Sequence, residues 1–149
     1  MRIIQLDIRE ARPEDYLPIF ELIKNELGYP QVDYDKLCTR LENIRSDARH
    51  LTAIAEADGQ VAGFIGIYVG IAYNYDREFI QISALAVRKE LQNRGIGSRL
   101  LQWAEEYAAK NDYQILKLTS RLHRVEAHAF YDRNGYEKKS YGFSKEISE

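Results

Sequence analysis

Apolar residues recur along the chain in two rhythms, and the change from one rhythm to the other marks out its elements. Residues 3–10, "IIQLDIRE", alternate and predict a strand. Pro13, with Glu14 and Asp15 behind it, marks a helix start. Tyr16, Ile19, Phe20, Ile23 and Leu27 then repeat at helical spacing until Gly28 and Pro30 break the run. Asp33 is placed to cap a second helix that carries Tyr34, Leu37, Leu41 and Ile44 on one face. Residues 50–57 and 60–71 read as strands joined by the "DG" at 58–59, a strong hairpin signal. Residues 78–87 predict another strand, and 97–110 a helix with Leu100, Leu101, Trp103, Ala104, Tyr107 and Ala108 on its apolar stripe. A strand at 113–120 and a short helix stopped at Gly135 follow. The alternating "YGFSKEI" at 141–147 closes the chain as a strand, with 136–139 as a further candidate.

The order is hairpin-joined strands, then a strand–helix–strand unit. It predicts an α/β (α+β) fold: a mixed, mostly antiparallel sheet of six to seven strands with helices on both faces. The 149 residues suit a single domain, 1–149, able to bury a sizeable core.

Composition narrows the function classes. The formal net charge of -2 gives no bulk attraction to nucleic acid or to an anionic membrane. The lone cysteine, Cys38, makes a disulfide framework or a CxxC metal site impossible and reads as a residue packed on a helix. His50, His123 and His128 are too scattered for a metal motif. With no long apolar run and no basic-then-apolar start, the expectation is a cytoplasmic chain with no membrane partner.

The chemistry gathers around "LQNRGIGSRLL", residues 91–101. A strand that passes through glycines into a helix presents backbone N–H groups with no intrahelical partner, and the helix dipole adds partial positive charge. Such a turn suits phosphate, above all a pyrophosphate, and Arg94 and Arg99 can add charge. The common nucleotide fingerprints fail: Leu100 stands where a dinucleotide loop needs glycine, and Ser98–Arg99 replaces the Lys–Ser/Thr of a Walker loop.

"QNRGIG" at 92–97 fits the Q/R-x-x-G-x-G/A signature of the GNAT superfamily of N-acetyltransferases, which the chain resembles over nearly its whole length. The segment "AVRKELQNRGIGSRLLQWAEEYA" and the tail "AHAFYDRNGYE" carry the likeness. The resemblance implies acetyl-CoA as cofactor, its pyrophosphate held by Gln92, Asn93, Arg94, Gly95, Ile96 and Gly97 with Ser98 next to them. It implies that Leu85, Ala86 and Val87 pair their backbone with the pantetheine arm. It also implies a parallel pair, 78–87 and 113–120, that splays to admit the thioester. By the A-x-x-F-Y-x-x-x-G-Y spacing, Tyr131 becomes the general acid toward the departing thiolate. The family's asparagine seven residues earlier is Arg124 here, and that contact is not carried over.

The acceptor side is less defined. Gln81 and Ser83 stand on the strand before the turn, where some members carry a glutamate, and neither is a base at neutral pH. Glu26 and Tyr29 border the first helix break, which often walls the acceptor pocket in the family. His123 follows the strand where the site should open. The function expected is direct transfer of acetyl to a small-molecule amine. A protein or peptide amine is the second choice, a non-catalytic acyl-CoA sensor the third, and a nucleotide-binding interaction protein the fourth. Sheet-edge pairing would be a low-cost route to a homodimer.

Overall fold

Local chemistry sets the elements of the computed structural model, which describes residues 5–121 and 124–148. Strand β1 covers Leu6–Glu10 and leads through a short 3₁₀ turn at Pro13–Asp15 into helix α1, Tyr16–Asn25. Helix α2, Tyr34–Ser46, begins as its sequence predicts: the Asp33 carboxylate accepts from Lys36 N–H at 2.9 Å. Strands β2, His50–Ala57, and β3, Gln60–Gly70, form the expected hairpin. Asp58 (φ 51°) and Gly59 (φ 80°) are both left-handed, as a type I′ turn requires. Strand β4 covers Phe79–Val87, helix α3 Ile96–Lys110, strand β5 Leu116–Leu118 and helix α4 Val125–Arg133.

The sheet is mixed and runs β1-β2-β3-β4-β5, with the first three pairings antiparallel. Helix α3 joins β4 to its neighbour β5, the crossover that parallel neighbours need. Ile54, Phe64 and Ala86 share a buried cluster with Tyr16, Ile19, Leu22, Leu37 and Leu41 of α1 and α2. Ile65 has the opposite parity to Phe64 and is fully buried too. It belongs to the other face, where Leu100, Leu101 and Ala104 of α3 are fully buried. Under α1, buried Asp15 accepts two hydrogen bonds from the Arg9 guanidinium and one from Arg12 N–H, closing the turn between β1 and α1.

Among the described residues the sheet has five strands, not six or seven. Residues 136–139 and 141–147 form no strand. Alternation fixes which side chains would share a face; it does not supply the neighbouring strand that makes a ladder. The strand expected at 113–120 is regular only over Leu116–Leu118, with Ile115 C=O also accepting from Ile80 N–H at 2.9 Å. The chain divides into two compact units, Met1–Lys117 and Leu118–Glu149. The first holds nearly all of the sheet with α1–α3, and the second holds α4 and the C-terminal segment.

Candidate acetyl-donor site

Strand β4 approaches its turn under close control from β3. A Cβ on Gly63 would stand 2.6 Å from the Ala86 carbonyl oxygen and 3.2 Å from Val87 Cα, so only glycine lets the two strands close here. Arg88 N–H donates to Ala62 C=O at 2.8 Å, and its Nε donates to Val61 C=O at 2.7 Å. The strand's exit is therefore fixed before the turn begins.

The turn is also held from α1. Glu26 follows the last residue of that helix; its carboxylate accepts from Lys89 N–H and from the Gln92 side chain, both at 3.3 Å. Gln92 Nε2 donates to Val87 C=O as well, at 3.0 Å. Beyond it the backbone is left-handed at Asn93 (φ 65°) and at Gly95 (φ 83°). Ile96 then drops into the core at 2 % exposure and pins the start of α3. Residues 92–95 remain exposed above that anchor.

The result is a helix start with free donors. Arg99 N–H makes the bond back to Gly95 C=O at 3.0 Å, which leaves the amides of Ile96, Gly97 and Ser98 without helical acceptors. No side chain caps this helix and no acidic residue stands in its first turn, in contrast to α2 with its Asp33 cap. A Cβ on Gly95 would meet no protein atom within 4 Å. Among the described residues, neither Arg94 nor Arg99 has an ion-pair partner. Free amides, a positive helix end, open space and spare guanidinium groups together fit an anionic group with several oxygens.

The strand itself is irregular where regular alternation is expected. Ala84 pairs with Gly66 and Ile82 with Ile67, so Ser83 is an extra residue in a β-bulge. The bulge divides β4 differently from strict alternation. Gln81, Ser83, Ala84 and Ala86 fall on one face, and Ile82, Leu85 and Val87 on the other. Ser83 is exposed and its hydroxyl donates to Gly66 C=O at 3.2 Å. Gly66 inside an otherwise apolar strand was the available signal for this bulge. Glu78, one residue before β4, pairs with Arg49 at 2.7 Å. Tyr29 is about half exposed, at 48 %. His123 lies outside the described residues.

In the second unit, Tyr131 stands two residues before Arg133, the last residue of α4. The helix ends in a Schellman motif: Tyr136 N–H donates to Tyr131 C=O at 3.0 Å and Gly135 N–H to Asp132 C=O at 3.1 Å, with Gly135 at φ 88°. The turn brings the Tyr136 ring edge-on to Tyr131, at 6.2 Å between centroids, while Phe130 flanks it at 5.3 Å. The Tyr-x-x-x-Gly-Tyr spacing is thus what packs the tyrosine in place. Burial lifts the Tyr131 phenol above its ordinary value, and the Arg124 charge pulls weakly the other way. His128 bonds Arg121 C=O at 2.8 Å within the same unit, a structural contact.

The model of the acetyltransferase (GNAT) family matches residues 9–136. An aminoalkylphosphonate N-acetyltransferase of Salmonella typhimurium is 32% identical over 145 residues, 95% of this chain and 91% of that protein. A putative ribosomal-protein alanine N-acetyltransferase of Bacillus subtilis is 26% identical over 128 residues, 86% of this chain and 78% of that protein. Among solved structures, an aminoglycoside N-acetyltransferase in complex with CoA superposes with a TM-score of 0.85 at 16% identity, covering 96% or more of both chains (98% and 97%). With a family model spanning most of its length and a third of its residues shared with a named acetyltransferase, the chain belongs to the GNAT family of acetyltransferases and uses acetyl-CoA as its donor.

Proposed function

We propose that the protein transfers acetyl from acetyl-CoA directly to the amine of a small molecule. The observation that carries the donor half is the uncapped start of α3, opened by left-handed Asn93 and Gly95 directly after β4. The amides of Ile96, Gly97 and Ser98 hold the pyrophosphate, with Arg94 and Arg99 supplying charge from the rim. Leu85, Ala86 and Val87 offer backbone groups to the pantetheine arm. The donor supplies an activated acetyl carbonyl and a thiolate leaving group.

The chain's own groups meet the remaining demands. Backbone N–H groups at the Ser83 bulge lie outside the regular ladder and are suited to steady negative charge on the carbonyl oxygen. The raised pKa of Tyr131 keeps its phenol protonated throughout the neutral range. A phenol with a pKa above 10 gives its proton to a thiolate uphill, so Tyr131 acts chiefly by donating a hydrogen bond as the sulfur leaves.

The acceptor amine must shed its own proton first. An amine of pKa about 10.4 is neutral less than about one time in a thousand at pH 7. β4 carries no carboxylate, Glu26 is engaged with Lys89 and Gln92, and Glu78 with Arg49. The proton therefore leaves to water, and Gln81, Ser83 and Tyr29 orient the acceptor.

The sequence likeness to an aminoalkylphosphonate N-acetyltransferase supports small amines as the acceptor class and makes aminoalkylphosphonates the first to try. The test is release of free thiol from acetyl-CoA with aminoalkylphosphonates, aminoglycosides, polyamines and a peptide with N-terminal alanine. Turnover of a small amine at a kcat/KM of about 10⁴ M⁻¹s⁻¹ or more supports the assignment. Turnover of the peptide alone moves it to protein acetylation. Coenzyme binding with no turnover of any amine replaces it with a sensor.

A further inference from the structure

Glu26 is half-buried at the end of α1, and both of its carboxylate oxygens reach the donor turn. Oε2 accepts from Lys89 N–H and Oε1 from the Gln92 side chain, each at 3.3 Å. The helix end that carries it is locked in turn. Glu26 N–H donates to Leu22 C=O at 2.8 Å, Leu27 N–H to the same carbonyl at 3.1 Å, and Tyr29 N–H to Ile23 C=O at 3.3 Å across left-handed Gly28 (φ 76°). The carboxylate is therefore a fixed pair of acceptors rather than a mobile surface group.

Two donors face it, so only a group with two acceptor oxygens satisfies both. A glutamine at this position would turn its own NH2 toward Lys89 N–H or toward the Gln92 amide. Gln92 is clasped from both sides, since its Nε2 also donates to Val87 C=O at 3.0 Å. Left-handed Asn93 follows at once, and Gly95 two residues later. Where Gln92 sits thus decides where the turn stands above Ile96, Gly97 and Ser98. Charge alone would act the other way, because a carboxylate beside a pyrophosphate site repels the ligand. Positioning and repulsion predict opposite signs when the charge is removed.

We infer that Glu26 is a positioning residue for acetyl-CoA, which holds the 89–95 turn in its coenzyme-binding form and couples that turn to residues 27–29. The inference rests on the placement of the pyrophosphate at the start of α3. It joins the two halves of the reaction, because Tyr29, which orients the acceptor, lies three residues beyond Glu26. Such coupling is reciprocal, so coenzyme on the turn also orders the acceptor side.

The experiment measures coenzyme A affinity by calorimetry and hydrogen exchange by mass spectrometry on the full chain, as wild type, Glu26→Gln, Gln92→Ala and the double variant. In the wild type, coenzyme A slows the amides of 96–98 and also those of Leu27 and Tyr29. In Glu26→Gln, Kd for coenzyme A and KM for acetyl-CoA rise roughly tenfold, the scale of one hydrogen bond to a charged group, while kcat at saturation moves much less. Protection of 96–98 by coenzyme A remains, and that of Leu27 and Tyr29 is lost. The double variant binds no more weakly than the worse single one, because the two side chains act as a unit. Glu26→Asp keeps the charge, falls one methylene short of both donors, shows the same loss, and serves if Glu26→Gln does not fold. Tighter or unchanged binding in the folded Glu26 variants overturns the inference, as do losses at 26 and 92 that simply multiply. Coenzyme A that binds the wild type without slowing 96–98 overturns the pyrophosphate placement itself, and the inference with it.

Discussion

Replacing Gly95 separates what the turn does for the fold from what it does for the coenzyme. Gly95 has φ 83°, and a Cβ there meets no protein atom within 4 Å. The cost of a side chain is therefore backbone strain alone, about 1–2 kcal/mol for Gly95→Val. That lowers Tm by roughly 2–8 °C in a chain of this size. Asparagine tolerates the left-handed region far better, and Asn93 already holds φ 65° two residues earlier. Gly95→Asn should thus fold with a loss below about 1 kcal/mol. In both variants the new atoms occupy the space before the amides of Ile96, Gly97 and Ser98. Losing one hydrogen bond to a charged phosphate costs about 1.5–3 kcal/mol, roughly tenfold to a hundredfold in affinity. Calorimetric titration with coenzyme A gives Kd directly, circular dichroism melting gives Tm, and thiol release gives KM for acetyl-CoA. A folded Gly95→Asn protein whose coenzyme Kd stays within twofold of wild type would refute the placement of the pyrophosphate.

Tyr131→Phe removes one oxygen and keeps the Schellman packing, so Tm should hold. With chemistry limiting, kcat should fall roughly 10- to 10³-fold with little change in coenzyme Kd, and an unchanged kcat returns Tyr131 to a packing role. The rate should climb from pH 6 to about 8.5 as the acceptor amine loses its proton. Because burial raises the Tyr131 pKa, any fall caused by its ionisation must come above about pH 10, and a Tyr131-dependent fall near pH 8 contradicts its environment. Burial pushes the Asp15 carboxyl up, but the Arg9 hydrogen bonds, the Arg12 amide and both positive charges together hold it below its usual value. A depressed carboxyl stabilises the fold fully above the unfolded pKa of about 3.9 and loses that contribution as pH falls through the folded value. Asp15→Ala should therefore lower stability at pH 7 by about 3 kcal/mol and flatten the acid limb below pH 4, both read by urea unfolding.

The sequence by itself determined what local chemistry determines. Asp33 as a cap, Asp58–Gly59 as a hairpin turn, the apolar stripe of α3 and the glycine-rich start of that helix all follow from neighbours within a few residues. The Gly135 stop was legible for the same reason, since a left-handed helix end favours glycine, although α3 ends through left-handed Asp112 instead. Tertiary structure decided whatever depends on a partner far along the chain. The bulge at Ser83 exists only against Gly66, seventeen residues away, and it changes which β4 side chains share a face. Glu26 borders the first helix break in the sequence, and only the fold brings it across 63 residues of separation against Lys89 N–H. The C-terminal alternation states a strand's faces but cannot create its neighbour, because a ladder needs a second backbone at hydrogen-bonding distance, and within residues 136–148 none is formed.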